Sequence, residues 1–107
     1  MGVKTQELIE VVESLIALLD EDGEMHWKAW MINTHDLLLA SDYSGIEHLL
    51  RAYGGMGSFN DLILGQGFEN GAVHWKSGHE KLNERLDALR SKAWELADWI
   101  KRNHETE

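Results

Sequence analysis

Residues 81–100 read KLNERLDALRSKAWELADWI, and their apolar positions decide the fold class. Leu82, Leu86, Leu89, Ala93, Leu96 and Ile100 recur at alternating intervals of four and three, the repeat that lines one face of an α-helix. Trp94 and Trp99 flank that seam and are expected to bury with it, because an indole on an amphipathic helix removes a large area from water. Just upstream, Ser77-Gly-His-Glu80 has the form of a capping box, in which Ser accepts from a backbone N–H three residues on and the acid reaches back. A long helix is therefore predicted from Ser77 to Arg102.

The same repeat marks the other end of the chain. Leu8, Val12, Leu15 and Leu19 set a stripe that Ile9, Val11, Ile16 and Leu18 widen, predicting a first helix over about 4–20. It is expected to stop in the turn Asp20-Glu21-Asp22-Gly23-Glu24, where four carboxylates and a glycine make a poor helix interior. A second helix follows from Met25 to Ala40, with Trp27, Trp30, Met31, Leu37 and Leu38 on one side. A short third helix starts at Ser44, whose Ser44-Gly-Ile-Glu47 is a second capping box, and Gly54 is placed to cap its C-terminus. Ser58-Phe-Asn-Asp61 is a third such motif with a shorter acid, predicting a short fourth helix from Ser58 to about Leu64, with a buried strand over Leu62-Ile63-Leu64 as the other reading. Residues 65–77, GQGFENGAVHWKS, contain the turn dipeptide Asn70-Gly71; a small hairpin is one reading, and an irregular loop is the expectation. The fold class is all-α: one domain of 107 residues, a compact bundle of about five helices with a glycine-rich loop before the last.

Composition excludes several chemistries. With no cysteine there is no disulfide, thiolate metal site or thiol nucleophile. Of six histidines, His26 and His35 lie nine apart and His74 and His79 five apart, and neither interval puts two imidazoles on one helical face. Neither a dinucleotide fingerprint nor a P-loop is present, Ser58 lacks a neighbouring histidine to activate it, and no cofactor, metal or catalytic group is assigned. Neither a secretory signal nor a membrane-spanning apolar run occurs, so a cytoplasmic protein is expected.

Charge is more informative. Ten basic residues face nineteen acidic ones, a net charge of −9. Residues 1–54 carry three basic and ten acidic side chains, and residues 55–107 carry seven and nine. Such a field repels nucleic acid and anionic membrane and speeds encounter with a cationic protein. Candidate partner-binding residues are Asp20, Glu21, Asp22 and Glu24, which crowd one turn without evident internal partners, and Glu7, Glu10 and Glu13 on the helix leading into it. Trp75, in the glycine-rich loop, either packs down as a lid or anchors a partner. Gly54, Gly55, Gly57, Ser58 and Asp61 have two readings: punctuation between helices, or a backbone cradle for an anion at a helix start.

One segment carries a resemblance. Tyr53-Gly-Gly-Met-Gly-Ser-Phe-Asn-Asp-Leu-Ile-Leu64, with Asp42-Tyr43-Ser44-Gly45-Ile46 upstream, resembles an uncharacterised family of small helical bacterial proteins marked by Gly-Gly-Met-Gly-Ser followed by Asn-Asp-Leu. The likeness spans about residues 8–100, with residues 65–77 as a longer connection. Such proteins are similar to the immunity proteins made beside secreted or contact-dependent antibacterial toxins. The resemblance implies a cytoplasmic protein that binds and blocks one toxin, a nuclease with a cationic cleft in particular, and it implies no catalytic residue. A small-ligand or anion-binding module built on Gly54–Ser58 is the alternative.

Overall fold

The computed structural model describes residues 2–54 and 57–103, the side chains of Phe68 and Glu69 excepted. Its elements are α1 (Val3–Asp22), α2 (Met25–Leu39), α3 (Ser44–Arg51), a single 3₁₀ turn (Phe59–Asp61), β1 (Gln66–Glu69), β2 (Ala72–Trp75) and α4 (His79–Asn103). Among the described residues there are four α-helices rather than five, and the protein is predominantly helical.

The helix stripes form one core. Leu8, Val12, Leu15 and Leu19 of α1 are fully buried against Leu86, Ala93, Leu96 and Ile100 of α4, with Met31 and Leu38 of α2 and Ile46 and Leu49 of α3 completing the cluster. α1 packs on both α4 and α2, α2 on α3, and α3 on α4. Trp94 and Trp99 depart from expectation: both are exposed. Ala93, Leu96, Ala97 and Ile100 are the residues that this part of α4 buries, and the indoles stand outside that buried strip. Trp27 and Trp30 do pack against the core, where Trp27 meets Phe59 at 5.3 Å.

Three local expectations are corrected. α1 runs to Asp22, so three of the acids lie in its last turn; Gly23, with φ 75, is the left-handed cap whose N–H meets the Asp20 carbonyl at 3.1 Å, while Glu24 N–H reaches the Leu19 carbonyl at 2.9 Å. Ser44 does not cap α3 but is its first residue. Tyr43 holds the cap position without a side-chain cap bond, and Asp42 before it accepts from the Ser44 N–H at 2.9 Å and hydroxyl at 2.8 Å, bonds that hold the Asp42 carboxyl below its ordinary pKa. The predicted Ser58–Leu64 helix is only a 3₁₀ turn, because Leu62 turns extended, with ψ 132.

Residues 66–75 form an antiparallel hairpin, not an irregular loop, pairing Gln66 with Trp75, Gly67 with His74, Phe68 with Val73 and Glu69 with Ala72. Asn70 and Gly71 both take positive φ, 53 and 78, as a type I′ turn requires. The turn dipeptide outweighs the polar composition of the strands.

Candidate partner-binding surface

The acidic residues at the end of α1 are held from within. Asp22 is the most enclosed, its side chain 11% exposed; it accepts from the Gly65 N–H at 3.1 Å and faces Lys76 Nζ at 3.4 Å. Asp20 bridges Lys28 at 2.7 Å, Glu21 lies 3.9 Å from Arg85, and Glu24 caps α2 by accepting from the Trp27 N–H at 2.8 Å. The expectation that these four carboxylates lack internal partners is therefore corrected. Acids at a helix C-terminus oppose its dipole, and Lys28, Lys76 and Arg85, all from outside α1, offset that here. Further along α1, Glu7 meets Lys92 at 3.1 Å and Glu13 meets His35 at 2.9 Å, while Glu10 is exposed with no partner among the described residues.

The Asp22–Gly65 bond also seats the hairpin. Gly65 is buried and, through its carbonyl, accepts from the Lys76 N–H at 2.7 Å. Next to it, the Asn83 amide grips Leu64 on both sides, accepting from its N–H at 2.8 Å and donating to its carbonyl at 2.9 Å. The base of the hairpin is thereby tied to α1 and to the start of α4, and a shallow groove of about 490 Å³ runs between α4 on one side and Leu62, Ile63 and the hairpin end at Trp75 on the other. Leu62, Ile63 and Trp75 supply its apolar wall, and Glu80, Glu84 and Asp87 its acidic one. Trp75 and Ile63 are 49% and 53% exposed, so the wall is open to solvent although Trp75 stacks on His79 at 4.7 Å. Asp87 pairs with Arg90; Glu80 and Glu84 have no partner among the described residues.

Of the residues singled out in sequence, the structure brings Trp75 to this groove and ties Asp22 to the strand base beside it; Glu7, Glu10 and Glu13 lie elsewhere, along α1. Sequence reading misses Ile63, Glu80 and Glu84. A signal for the acids is present: Glu80, Glu84 and Asp87 follow the same four–three interval as the Leu82–Leu86–Leu89 seam, displaced to the opposite side of the helix.

The described residues of the glycine segment bond among themselves. Gly54 and Gly57 have φ 128 and 75, and Gly55, like Met56, lies outside the described residues. Gly54 is not the residue that closes α3: Ala52 does so, its N–H bonding the Leu49 carbonyl at 3.0 Å. Gly57 donates its N–H to the Asp61 carboxylate at 2.8 Å, and Ser58 Oγ accepts from the Asn60 N–H at 3.2 Å. The amide of Gly57 that an anion would seek is already turned to an internal carboxylate. Behind the segment, Arg90 donates to the carbonyls of Phe59 and Leu62 at 2.8 and 3.0 Å, and the Tyr53 hydroxyl donates to the Arg90 carbonyl at 2.6 Å. Burial pushes the Tyr53 phenol above its ordinary pKa, so it stays a donor.

Among the described residues, no three His, Asp or Glu side chains gather as a metal site, and no helix is long and apolar enough to cross a membrane. No curated protein and no solved structure matches the chain. A family model described as a domain of unknown function, DUF6966, matches residues 20–69, and over that stretch, from the last turn of α1 to the end of β1, the chain is similar to that family.

Proposed function

We propose that this protein is an immunity protein: it binds a cationic toxin domain in one-to-one fashion and blocks it, without catalysis, in the cytoplasm of the cell that makes both. The observation that carries the reading is the groove between hairpin and α4. An exposed tryptophan and isoleucine sit beside two carboxylates, Glu80 and Glu84, that have no partner among the described residues. Aromatic anchors beside unsatisfied charge are the features that dominate binding energy and association rate at interfaces. The net charge of −9 extends the attraction beyond contact distance, and a toxin that cleaves nucleic acid presents the matching cationic cleft. The acids at the end of α1, already neutralised in part, form the rim rather than the centre.

The test is rescue. The C-terminal domain of a secreted toxin encoded beside this gene is expressed in a sensitive host with and without this protein. Growth restored by the wild type, and lost with Trp75→Ala/Glu84→Lys at unchanged melting temperature, supports the reading. Failure of the wild type to restore growth or bind the purified domain overturns it.

A further inference from the structure

The outer face of α2 carries a pattern that neither the core nor the groove uses. Met25, Ile32 and Leu39 stand seven residues apart and are 52%, 38% and 55% exposed. Seven residues return a helix to nearly the same azimuth, so the three form a straight apolar seam along the solvent side, turned away from the buried Met31, Thr34 and Leu38. The seam is symmetric about Ile32 in the placement of its apolar residues and complementary in charge. Met25 lies seven residues before it and Leu39 seven after; Lys28 lies four before it and Asp36 four after. These are the only formal charges on α2 at neutral pH, so the helix is neutral in a chain of net charge −9.

We infer that α2 is a homodimer interface, in which two copies pair antiparallel about a two-fold axis at Ile32. The axis sets Ile32 against itself, Met25 against Leu39, and Lys28 of each copy at the level of Asp36 of the other, as an isologous contact requires. A parallel two-fold pairing instead opposes Lys28 to Lys28 and Asp36 to Asp36, and like charges across a contact are repulsive. Lys28 also bridges its own Asp20 at 2.7 Å, so in the dimer its ammonium is shared between that carboxylate and Asp36 of the other copy. Elsewhere the copies repel through their net charge, and the neutral face is where they meet. Fifteen residues span about 22 Å, and one helix pair buries less than the ~1,200 Å² of tight complexes. The dimer is therefore a reversible one, and it strengthens at higher ionic strength as the general repulsion is screened. That salt response is opposite in sign to the one expected at the groove, and the surface stands independently of the toxin reading.

The experiment uses the full chain, which has no cysteine of its own. Ile32→Cys under mild oxidation is expected to give a disulfide-linked dimer at least tenfold faster than the exposed control Glu10→Cys. Mixing Met25→Cys with Leu39→Cys is expected to yield the mixed disulfide several-fold over either self-linked product. Sedimentation of the unmodified chain should show a monomer–dimer equilibrium that Ile32→Glu moves to monomer, with circular dichroism unchanged because position 32 faces solvent. A chain that remains monomeric throughout the micromolar range, with the Ile32→Cys variant linking no faster than the Glu10→Cys control, overturns the interface. Preferential self-linking of the Met25→Cys and Leu39→Cys variants overturns the antiparallel arrangement.

Discussion

The Asp22 carboxylate and the Gly65 amide, 43 residues apart in sequence, meet at 3.1 Å, and through that bond the end of α1 positions the hairpin that carries Trp75. Asp22→Ala leaves the buried Gly65 N–H without its acceptor and Lys76 without its counter-ion, an expected loss of about 1–3 kcal/mol. Asp20→Ala removes only an exposed pair with Lys28 and is expected to lose under about 1 kcal/mol. Urea denaturation of the two variants gives the comparison, and equal losses would show that the hairpin is seated by other contacts.

Two glycines with positive φ are expected to differ in tolerance. At Gly65, φ 81, an added Cβ would come within 2.4 Å of the His79 Cβ; at Gly54, φ 128, it would meet nothing within 4 Å. Gly54→Ala carries backbone strain alone, about 1–3 kcal/mol. Gly65→Ala adds a steric clash worth roughly 1–3 kcal/mol more. Thermal melts rank the pair. The same melts run with phosphate should be unmoved, because Gly57 N–H is engaged by Asp61; stabilisation by phosphate that disappears in Gly57→Ala would favour the anion-binding alternative.

His48 makes stability depend on pH. Its ring stacks on Trp30 at 4.3 Å and its Nε2 is shielded with no hydrogen-bond partner. Desolvation, opposed by the Trp30 backbone and aided by the Arg51 charge, lowers its pKa below the ordinary 6.5. A histidine whose folded pKa is depressed binds protons more readily when unfolded, so stability is full above 6.5 and falls as pH drops through that value toward the folded pKa. The stability of the wild type relative to His48→Phe, which keeps the stacking, is expected to decline between pH 7.5 and 5.5, with those limits set about one unit either side of the unperturbed pKa. A constant difference would mean that the ring is protonated equally in both states.

Charge reversal in the groove separates steering from folding. Glu80→Lys/Glu84→Lys is expected to slow association with the purified toxin domain by tenfold or more at low salt, and to flatten its salt dependence, since steered association rates rise by about 10–10³-fold. Stability should fall by no more than about 1–2 kcal/mol, because neither carboxylate has a partner among the described residues and only Glu80, in the first turn of α4, loses a favourable place at the helix dipole. An unchanged rate would move the contact away from α4.

The helices are legible because the forces that make them are local. The Leu8–Leu19 and Leu86–Ile100 stripes can be read from period alone, and both are buried. What period cannot say is how many stripes a partner helix has room for, and here Ala93 and Ala97 are buried while Trp94 and Trp99 are left outside. The pairing of the acid turn is hidden for a different reason. Lys28, Arg85 and Lys76 lie 8, 64 and 54 residues from the carboxylates they meet, and two of those three separations exceed any local sequence window. Asn70-Gly71 is local, and its turn chemistry outranks the composition of its strands as a guide to the hairpin.

The pairing of α1 with α4 joins residues from the two ends of the described chain around one core. A nascent chain emerging from the ribosome can pair α1 with α2, but the side of α1 that packs on α4 stays uncovered until Leu96 and Ile100 have been made and released. Folding in the cell is therefore held until α4 is out, and α1 must be kept from aggregation through that interval. The α4 wall of the groove ends at Arg90, so it is made before the last turns of that helix and is held in place once they close on the core. A chain that stops before Ile100 keeps every residue that lines the groove but lacks the last contacts by which α4 closes the core.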